Sequence, residues 1–346
     1  MAGVSLIFGG DIGALRSDGR GMFGDATNTI AAADLAVANL EFALSERDEP
    51  TRGKIYPHRA PPGALAGLVE AGFDALNLAN NHMLDFRAAA LVDTMALLDG
   101  AGIARFGAGR DAQEAARPAV VERGGLRIGL LGYSSTLPTG FAAGAGVAGI
   151  NALRALTSYR QFRNPDEYPG SAPIVETRPV GEDLARMVGD IRRLKRRADV
   201  VLVYQHWGES MNEKVHDFQR AIGQAAIDAG AAGVFGGHSH VIQAVEFYRG
   251  RPIVHGLGNL VFDFVAPFFT PATRRTILFG ASVTGDGLGD CHAWCCRTGV
   301  DGPVAMLHPS GGEGREIADT LARLSTPFGT AVAADGRRVT LRPSGA

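Results

Sequence analysis

Short apolar runs that each stop on a polar, metal-competent residue constrain this chain more than any other feature. Asp11 follows Leu6-Ile-Phe-Gly-Gly, and Glu41 follows Leu35-Ala-Val-Ala-Asn-Leu. Asn80-Asn81-His82 follows Leu76-Asn-Leu-Ala, His206 follows Val200-Val-Leu-Val-Tyr-Gln, and Gly237-His238-Ser239-His240 follows Val234-Phe-Gly. Runs of this length and branching read as buried strands. Between them the apolar residues keep a helical period: Leu184, Met187, Val188, Ile191 and Leu194 within Asp183 to Arg197, then Val215, Phe218, Ile222 and Ala226. Alternation of the two patterns predicts an α/β fold of layered sheets flanked by helices. Strands are expected at Val4 to Gly9, Leu35 to Asn39, Ala75 to Ala79, Arg127 to Leu131, Val200 to Gln205, Gly233 to Gly236 and Pro252 to Leu257. Ligands of such folds bind outside the carboxyl ends of the strands, so the polar stops are expected to converge on one crevice.

With 346 residues, 46% of them hydrophobic, the chain can bury a large core. It reads as a single domain over 1–346 with a Gly- and Pro-punctuated insertion at about 138–179, the kind of long loop that encloses a substrate. After Thr276 a strand, a Gly-rich excursion, a short helix near Glu316 to Leu324 and a hairpin across Asp335-Gly336 are expected. The formal net charge is −2, and the one basic cluster, Arg192 to Arg197, suits a solvated helix face better than a nucleic-acid stripe. Nucleic acid is therefore not an expected partner. The opening lacks a basic leader, and charged residues or glycine interrupt every apolar stretch before the roughly 18 residues of a spanning helix. A cytoplasmic protein without a membrane span is the expectation. Cys291, Cys295 and Cys296 are odd in number and clustered, which fits a reducing compartment and a strand whose adjacent cysteines face opposite ways, not a zinc site.

A carboxylate, an amide and several imidazoles make a mixed oxygen and nitrogen shell, suited to Zn, Mn or Fe, or to Ca or Mg if oxygen ligands dominate. A lone histidine beside a strand is ordinarily structural; five coincident strand ends favour a metal site. His238 and His240 are the strongest pair, because alternate residues of an extended chain project to one side, and Gly236 and Gly237 let the backbone approach closely. Three positions apart, His82 and Asp85 can share a helical turn in which the carboxylate sets the imidazole tautomer; the alternative is an ordinary acidic residue at a helix start. His255 can border the site, His216 fits a solvent-facing helix position, and His58 sits in a Pro-rich loop that can touch substrate. Tyr204, Trp207 and Tyr248 are read as packing residues before substrate-stacking ones.

Taken in order, Gly10-Asp11, Asn39-Leu40-Glu41, Asn77-Leu-Ala-Asn-Asn-His82 with Asp85, His206-Trp207-Gly208, Gly237-His238-Ser-His240 and Gly256-Leu-Gly-Asn259-Leu-Val-Phe-Asp263 resemble the CapA family. That family is associated with poly-γ-glutamate capsule biosynthesis and has a calcineurin-like metallophosphatase fold. The resemblance implies Glu41 as a bridging carboxylate, Asn81, His206 and His238 around one divalent ion, Asp11 with His240 at a second, and His82 backed by Asp85 as the catalytic imidazole. Where such phosphatases carry Asp-x-His, this chain has Asp11-Ile12-Gly13, which removes a ligand of the second ion and with it the two-metal clamp of phosphoryl transfer. With one ion, His82/Asp85 and Asp11/His240 become two proton-transfer pairs, the arrangement an epimerase needs. The chain is also similar to the CapA-type epimerases of lasso-peptide biosynthesis. The expectation is thus Cα epimerisation near the C-terminus of a ribosomal peptide, with poly-γ-glutamate synthesis or cleavage, or phosphoester hydrolysis, as alternatives.

Overall fold

The computed structural model describes residues 3–263, 270–298 and 302–345. Two sheets face each other. The first runs Thr330–Asp335, Arg338–Pro343, Gly287–Arg297, Arg275–Thr284, Val4–Gly13, Leu35–Leu40, Ala75–Asn77, Ala104–Phe106, with Asn259–Phe262 also paired to Val4–Gly13 and Ala305–Leu307 to Gly287–Arg297. The second runs Val245–Tyr248, Arg251–Val254, Gly233–Gly237, Val200–His206, Leu126–Ser134, Ala119–Arg123. Val4–Gly13 and Leu35–Leu40 are parallel, as are Val200–His206 and Gly233–Gly237, so each sheet delivers neighbouring carboxyl ends together.

Side chains alternate across these strands, which explains why the strands are apolar throughout. Phe8, Val37, Leu202, Tyr204 and Phe235 fill the space between the sheets, where the Phe8 and Phe235 rings stack at 3.7 Å. The opposite face of the first sheet packs on the helices Ala26–Ala31 and Arg87–Gly100 through Ile30, Leu91, Met95 and Leu98. That of the second packs on Gly181–Lys195 and Asp217–Ala229 through Met187, Ile191, Leu194, Ile222 and Ala226. A helix, sheet, sheet, helix stack results, and burying each such side chain contributes about 1.5–3 kcal/mol. Among the described residues no helix is long and apolar enough to cross a membrane.

Several sequence expectations need correction. The strand expected at Pro252 to Leu257 is Arg251–Val254, in the second sheet, and after Gly258, whose φ is +84°, a strand not expected from sequence, Asn259–Phe262, joins the first. The helix expected as short near Glu316 is Gly312–Ser325, 14 residues long. The stretch 138–179 is not a plain loop, since Ala155–Arg160 and Ile174–Pro179 form an antiparallel two-stranded ribbon within it. Most of the ribbon's residues are exposed, so it carries none of the half-buried alternation by which a strand is read from sequence. The hairpin across Asp335-Gly336 forms as expected. Cys295 packs between the sheets and Cys296 on the outer face. All three cysteines are buried and unpaired, and burial pushes the Cys291 and Cys295 thiols up to about 12.

One buried ionic cluster gives the fold an acid-sensitive point. Glu246 accepts hydrogen bonds from Arg220 (3.0 Å), Gln224 (2.8 Å) and His255 (3.2 Å). Burial alone would raise its carboxyl; the bonds from His255, Arg220 and Gln224 outweigh that and hold it at about 2. A depressed acid stabilises the fold above its unfolded value, near 4.5, and that stability is lost as the pH falls toward about 2. The contribution is on the order of 2 kcal/mol after allowing for the solvent exposure of Arg220. Thermal unfolding of Glu246→Gln is expected to show a lower midpoint at neutral pH and a smaller drop between pH 4.5 and 2; an unchanged acid limb would contradict this assignment.

Candidate metal centre

The carboxyl ends of the two sheets meet, and the polar stops meet with them. Asp11 is opposite Asn39 in one sheet and His206 is opposite Gly237 in the other. A Cβ on Gly237 would collide with the Asp11 carboxylate and the Tyr204 hydroxyl, and one on Gly236 with the His255 carbonyl, so only glycine allows this approach. His238 and His240 are not on an extended segment. Their φ angles are +85° and +55°, a left-handed conformation uncommon for residues other than glycine. The turn is held by the His238 N–H, which donates to Asp11 Oδ2 at 2.9 Å, and strain of this kind persists where the surroundings over-determine it.

Two sets of ligand atoms lie within 4.8 Å of one another, Glu41 with His206 and His238, and Asp11 with Glu41 and His240. Glu41 is common to both. Its Oε1 is 3.8 Å from His206 Nε2 and 3.9 Å from His240 Nε2, and Asn81 Oδ1 lies 2.7 Å from His206 Nε2. The sets differ in how far the protein already satisfies them. Glu41 Oε1 and His238 Nδ1 are buried without a hydrogen-bond partner, a cost that a cation would relieve. Asp11 instead accepts from the His238 N–H at 2.9 Å, Asn39 Nδ2 at 2.9 Å and the Tyr204 hydroxyl at 3.4 Å. His240 Nδ1 bonds Asn259 Oδ1 at 2.8 Å and stands 3.7 Å from Asp11 Oδ2. Asp11 and His240, expected from sequence as a proton-transfer pair, are therefore neighbours at 3.7 Å, beyond hydrogen-bond distance. A Cβ on Gly13 would come within 2.9 Å of the Phe42 and Phe262 rings, so aromatic packing fills the space beside Gly13 where a fourth ligand of that set would start.

His82 Nδ1 is 2.6 Å from Asp85 Oδ2. The two residues lie in a turn ahead of the helix Arg87–Gly100 and not on a helical turn, which also removes the reading of Asp85 as a first-turn helix residue. Asp85 is fully buried and held from three sides: Lys54 Nζ at 2.6 Å, the His58 N–H at 2.8 Å, and the Thr51 N–H on its carbonyl at 2.7 Å. Lys54 Nζ also donates to the Asn81 carbonyl at 2.5 Å, so one ammonium fixes both the amide ligand and the partner of His82. An acceptor on Nδ1 places the proton there and leaves Nε2 as the working nitrogen.

The sequence profile of the bacterial capsule synthesis protein PGA_cap family matches residues 5–264, a span that contains every residue of this centre. The chain belongs to that family. Among curated PGA_cap relatives, a probable polyglutamine synthesis accessory protein of Mycobacterium tuberculosis is 32% identical over 254 residues, covering 71% of this chain and 61% of its own. The capsule biosynthesis protein CapA of Bacillus anthracis is 33% identical over 195 residues, 56% of this chain and 41% of its own. The PGA biosynthesis protein CapA of Bacillus subtilis is 29% identical over 197 residues, 57% and 44%. The chain thus matches about three fifths or less of the length of these relatives.

Electrostatics divide the roles within this PGA_cap centre. Burial, then neighbouring imidazoles, hold His206 and His238 well below the usual histidine range, so both are neutral donors at pH 7. Burial and the Asp11 carboxylate beside it drive Glu41 well above the usual carboxylate range. Burial lowers His82 more than its bond to Asp85 raises it, which leaves a neutral base. Burial and the neighbouring His82 push His58 down to about 4, with its ring 5.2 Å from that of His82. Lys54 was not singled out from sequence because its loop has no periodicity, and His58 was read there only as a loop residue able to touch substrate; Asn39, polar inside an apolar run, carried a signal. Four other histidine and aromatic residues have their roles outside the centre. His255 is a core residue bonded to Glu246 and stacked on Trp207, so it does not border the site. His216 caps the helix Asp217–Ala229 in a capping box, not a solvent-facing helical position. Trp207 is fully buried and Tyr248 half-buried, as packing residues are.

Proposed function

We propose that this PGA_cap chain is a metal-dependent acid/base enzyme acting on an amide-linked chain, with a γ-glutamyl polymer, in its synthesis or cleavage, as the first reading of the substrate. One observation carries it: Glu41 Oε1 and His238 Nδ1 are buried without partners beside a histidine whose tautomer is set by a buried carboxylate. The names of the relatives, which speak of capsule, PGA and polyglutamine synthesis, support the polymer. A divalent cation held by Glu41, His206 and His238, with Asn81 as a further donor, would polarise a carbonyl and offset negative charge developing on its oxygen. Two imidazoles in the donor set favour Zn, Mn or Fe over Ca or Mg. His82 takes a proton at Nε2 and returns it, while Asp85 stabilises the imidazolium formed in between. Lys54, 2.6 Å from Asp85, holds that carboxylate in place. Asp11, which already accepts three hydrogen bonds, anchors the strained His238 to His240 turn.

A second reading, inversion at Cα of a peptide residue, is supported by His240, a further imidazole at 3.9 Å from Glu41 Oε1 that can serve as the acid opposite His82. Incubation of metal-loaded protein with γ-linked glutamate oligomers in heavy water separates the two. A change in oligomer length without deuterium at Cα is the expected result. Deuterium at Cα with unchanged length supports inversion, and neither change with these oligomers overturns the γ-glutamyl reading.

A further inference from the structure

Beside the segments that follow His206 lies a cavity of about 880 Å³ that the chemistry proposed for the metal centre does not use. One wall is the ribbon of Ala155–Arg160 and Ile174–Pro179, and the other is the segment from Gly208 to Phe218. Both are tied to the ligand-bearing segments. At its floor the Ser135 N–H donates to the His206 carbonyl at 2.8 Å. On the far wall the Met211 N–H donates to the Ser239 carbonyl at 2.7 Å, and Gln243 Nε2 holds the Asn212 and Lys214 carbonyls at 2.9 Å each. The cleft is thus continuous with the backbone that carries His206, His238 and His240.

The lining tells how an occupant would lie. From Ala155–Arg160 only the alternate residues Ala155, Thr157 and Tyr159 face the cleft, whereas from the other strand the consecutive residues Val175, Glu176, Thr177 and Arg178 do. Consecutive residues of a strand point to opposite faces, so it is the edge of Ile174–Pro179 that borders the space. Among the described residues that outer edge has no strand partner, although the helix Asp217–Ala229 lies against the same strand, and an unpaired edge is a template for another chain. On the ribbon face Tyr159 and Val175 are register partners and are 73% and 57% exposed. Beside them the Thr157 and Thr177 hydroxyls bond each other at 2.9 Å, so this face is apolar in effect. Charge within the cleft cancels. Arg178 pairs with Glu176 at 2.9 Å, Lys214 and Asp217 add one charge of each sign, and Glu209, 3.3 Å from the His216 ring, leaves no cationic excess.

We infer that this cleft receives an extended α-polypeptide strand, which pairs through its main-chain amides with the outer edge of Ile174–Pro179 and lays an apolar side chain on Tyr159 and Val175. A polyanion finds no excess of cations there, so as a substrate site the cleft rests on the second of the two readings above; the docking itself stands apart from either. The ribbon's exposure follows from the same assignment, since a two-stranded ribbon is marginal alone and gains a third strand from its ligand.

The test uses the whole protein and a fluorescein-labelled decapeptide that alternates valine and serine, followed by fluorescence anisotropy. Saturable binding is expected, weakened by about tenfold or more in the double variant Tyr159→Ala/Val175→Asp, whose exposed positions leave the thermal midpoint unchanged. The same peptide N-methylated at every second amide is expected not to bind. Equal binding of the N-methylated peptide, tighter binding of a labelled γ-linked glutamate oligomer with the same loss in the double variant, or no saturable peptide binding would each overturn the assignment. Cation content measured on the same samples keeps the two claims apart. Bound cation without peptide binding sinks the cleft and spares the centre, while peptide binding without cation does the reverse.

Discussion

Alanine at position 82 is expected to lower turnover by about 10²- to 10⁴-fold while metal content and thermal midpoint stay near those of the parent protein. The His82 imidazole reaches the site from a turn, with Nδ1 bound to Asp85 at 2.6 Å, so its removal costs a proton carrier and no ligand. The pH profile is a sharper check than the rate alone. His82 works as a neutral base, and burial holds its protonation below the ordinary histidine value of 6.5. Activity is therefore expected to fall as the pH drops below that range, and the limb disappears in His82→Ala. In Asp85→Asn the bond that raises His82 is lost, so the limb moves to still lower pH. A His82→Ala protein with full activity, or an Asp85→Asn limb that moves upward, would remove His82 from the chemistry.

The second large effect concerns the cation. One ion per chain is expected, because Glu41 Oε1 and His238 Nδ1 lack partners while the Asp11 carboxylate already accepts from His238, Asn39 and Tyr204. His238→Ala and Glu41→Gln are each expected to weaken metal binding by more than about 100-fold, whereas Asp11→Asn, which can keep two of its three hydrogen bonds, retains the ion. Since His206 and His238 are already neutral and Glu41 is raised well above the carboxylate range, uptake is expected to release a proton from Glu41. Calorimetry in buffers of different ionisation enthalpy reads that proton directly, and Glu41→Gln abolishes it. Without metal the sign of the linkage follows. An acid raised in the fold favours folding at low pH, so the metal-free protein loses stability as the pH rises above Glu41's ordinary 4.5 toward its raised value, and Glu41→Gln is expected to lose less. Two ions bound per chain, or uptake without proton release, would contradict this account.

Much of the centre was legible because burial makes polar residues conspicuous. Asp11, Glu41, Asn81, His82, His206, His238 and His240 each interrupt or end an apolar run, and the structure gathers them at one junction of two sheets. What the run of letters did not convey is how each side chain is spent. Asp11 and His240 are adjacent in space yet bonded to other partners, and the bonding depends on Asn39, Tyr204 and Asn259, which come from three different strands. Lys54 and His58 lie in an aperiodic loop and gain their place only through Asp85.

The sequence by itself determined the α/β class, since strand and helix periods are local properties of a few residues at a time. It also determined the family and the residue types available to hold a cation. Only the tertiary structure decided which donors stay unsatisfied, that the His238 to His240 turn is left-handed instead of extended, and that 155–179 is an open-edged ribbon. Hydrogen-bond saturation and edge exposure are sums over contacts between segments far apart in the chain, and no local pattern records such sums.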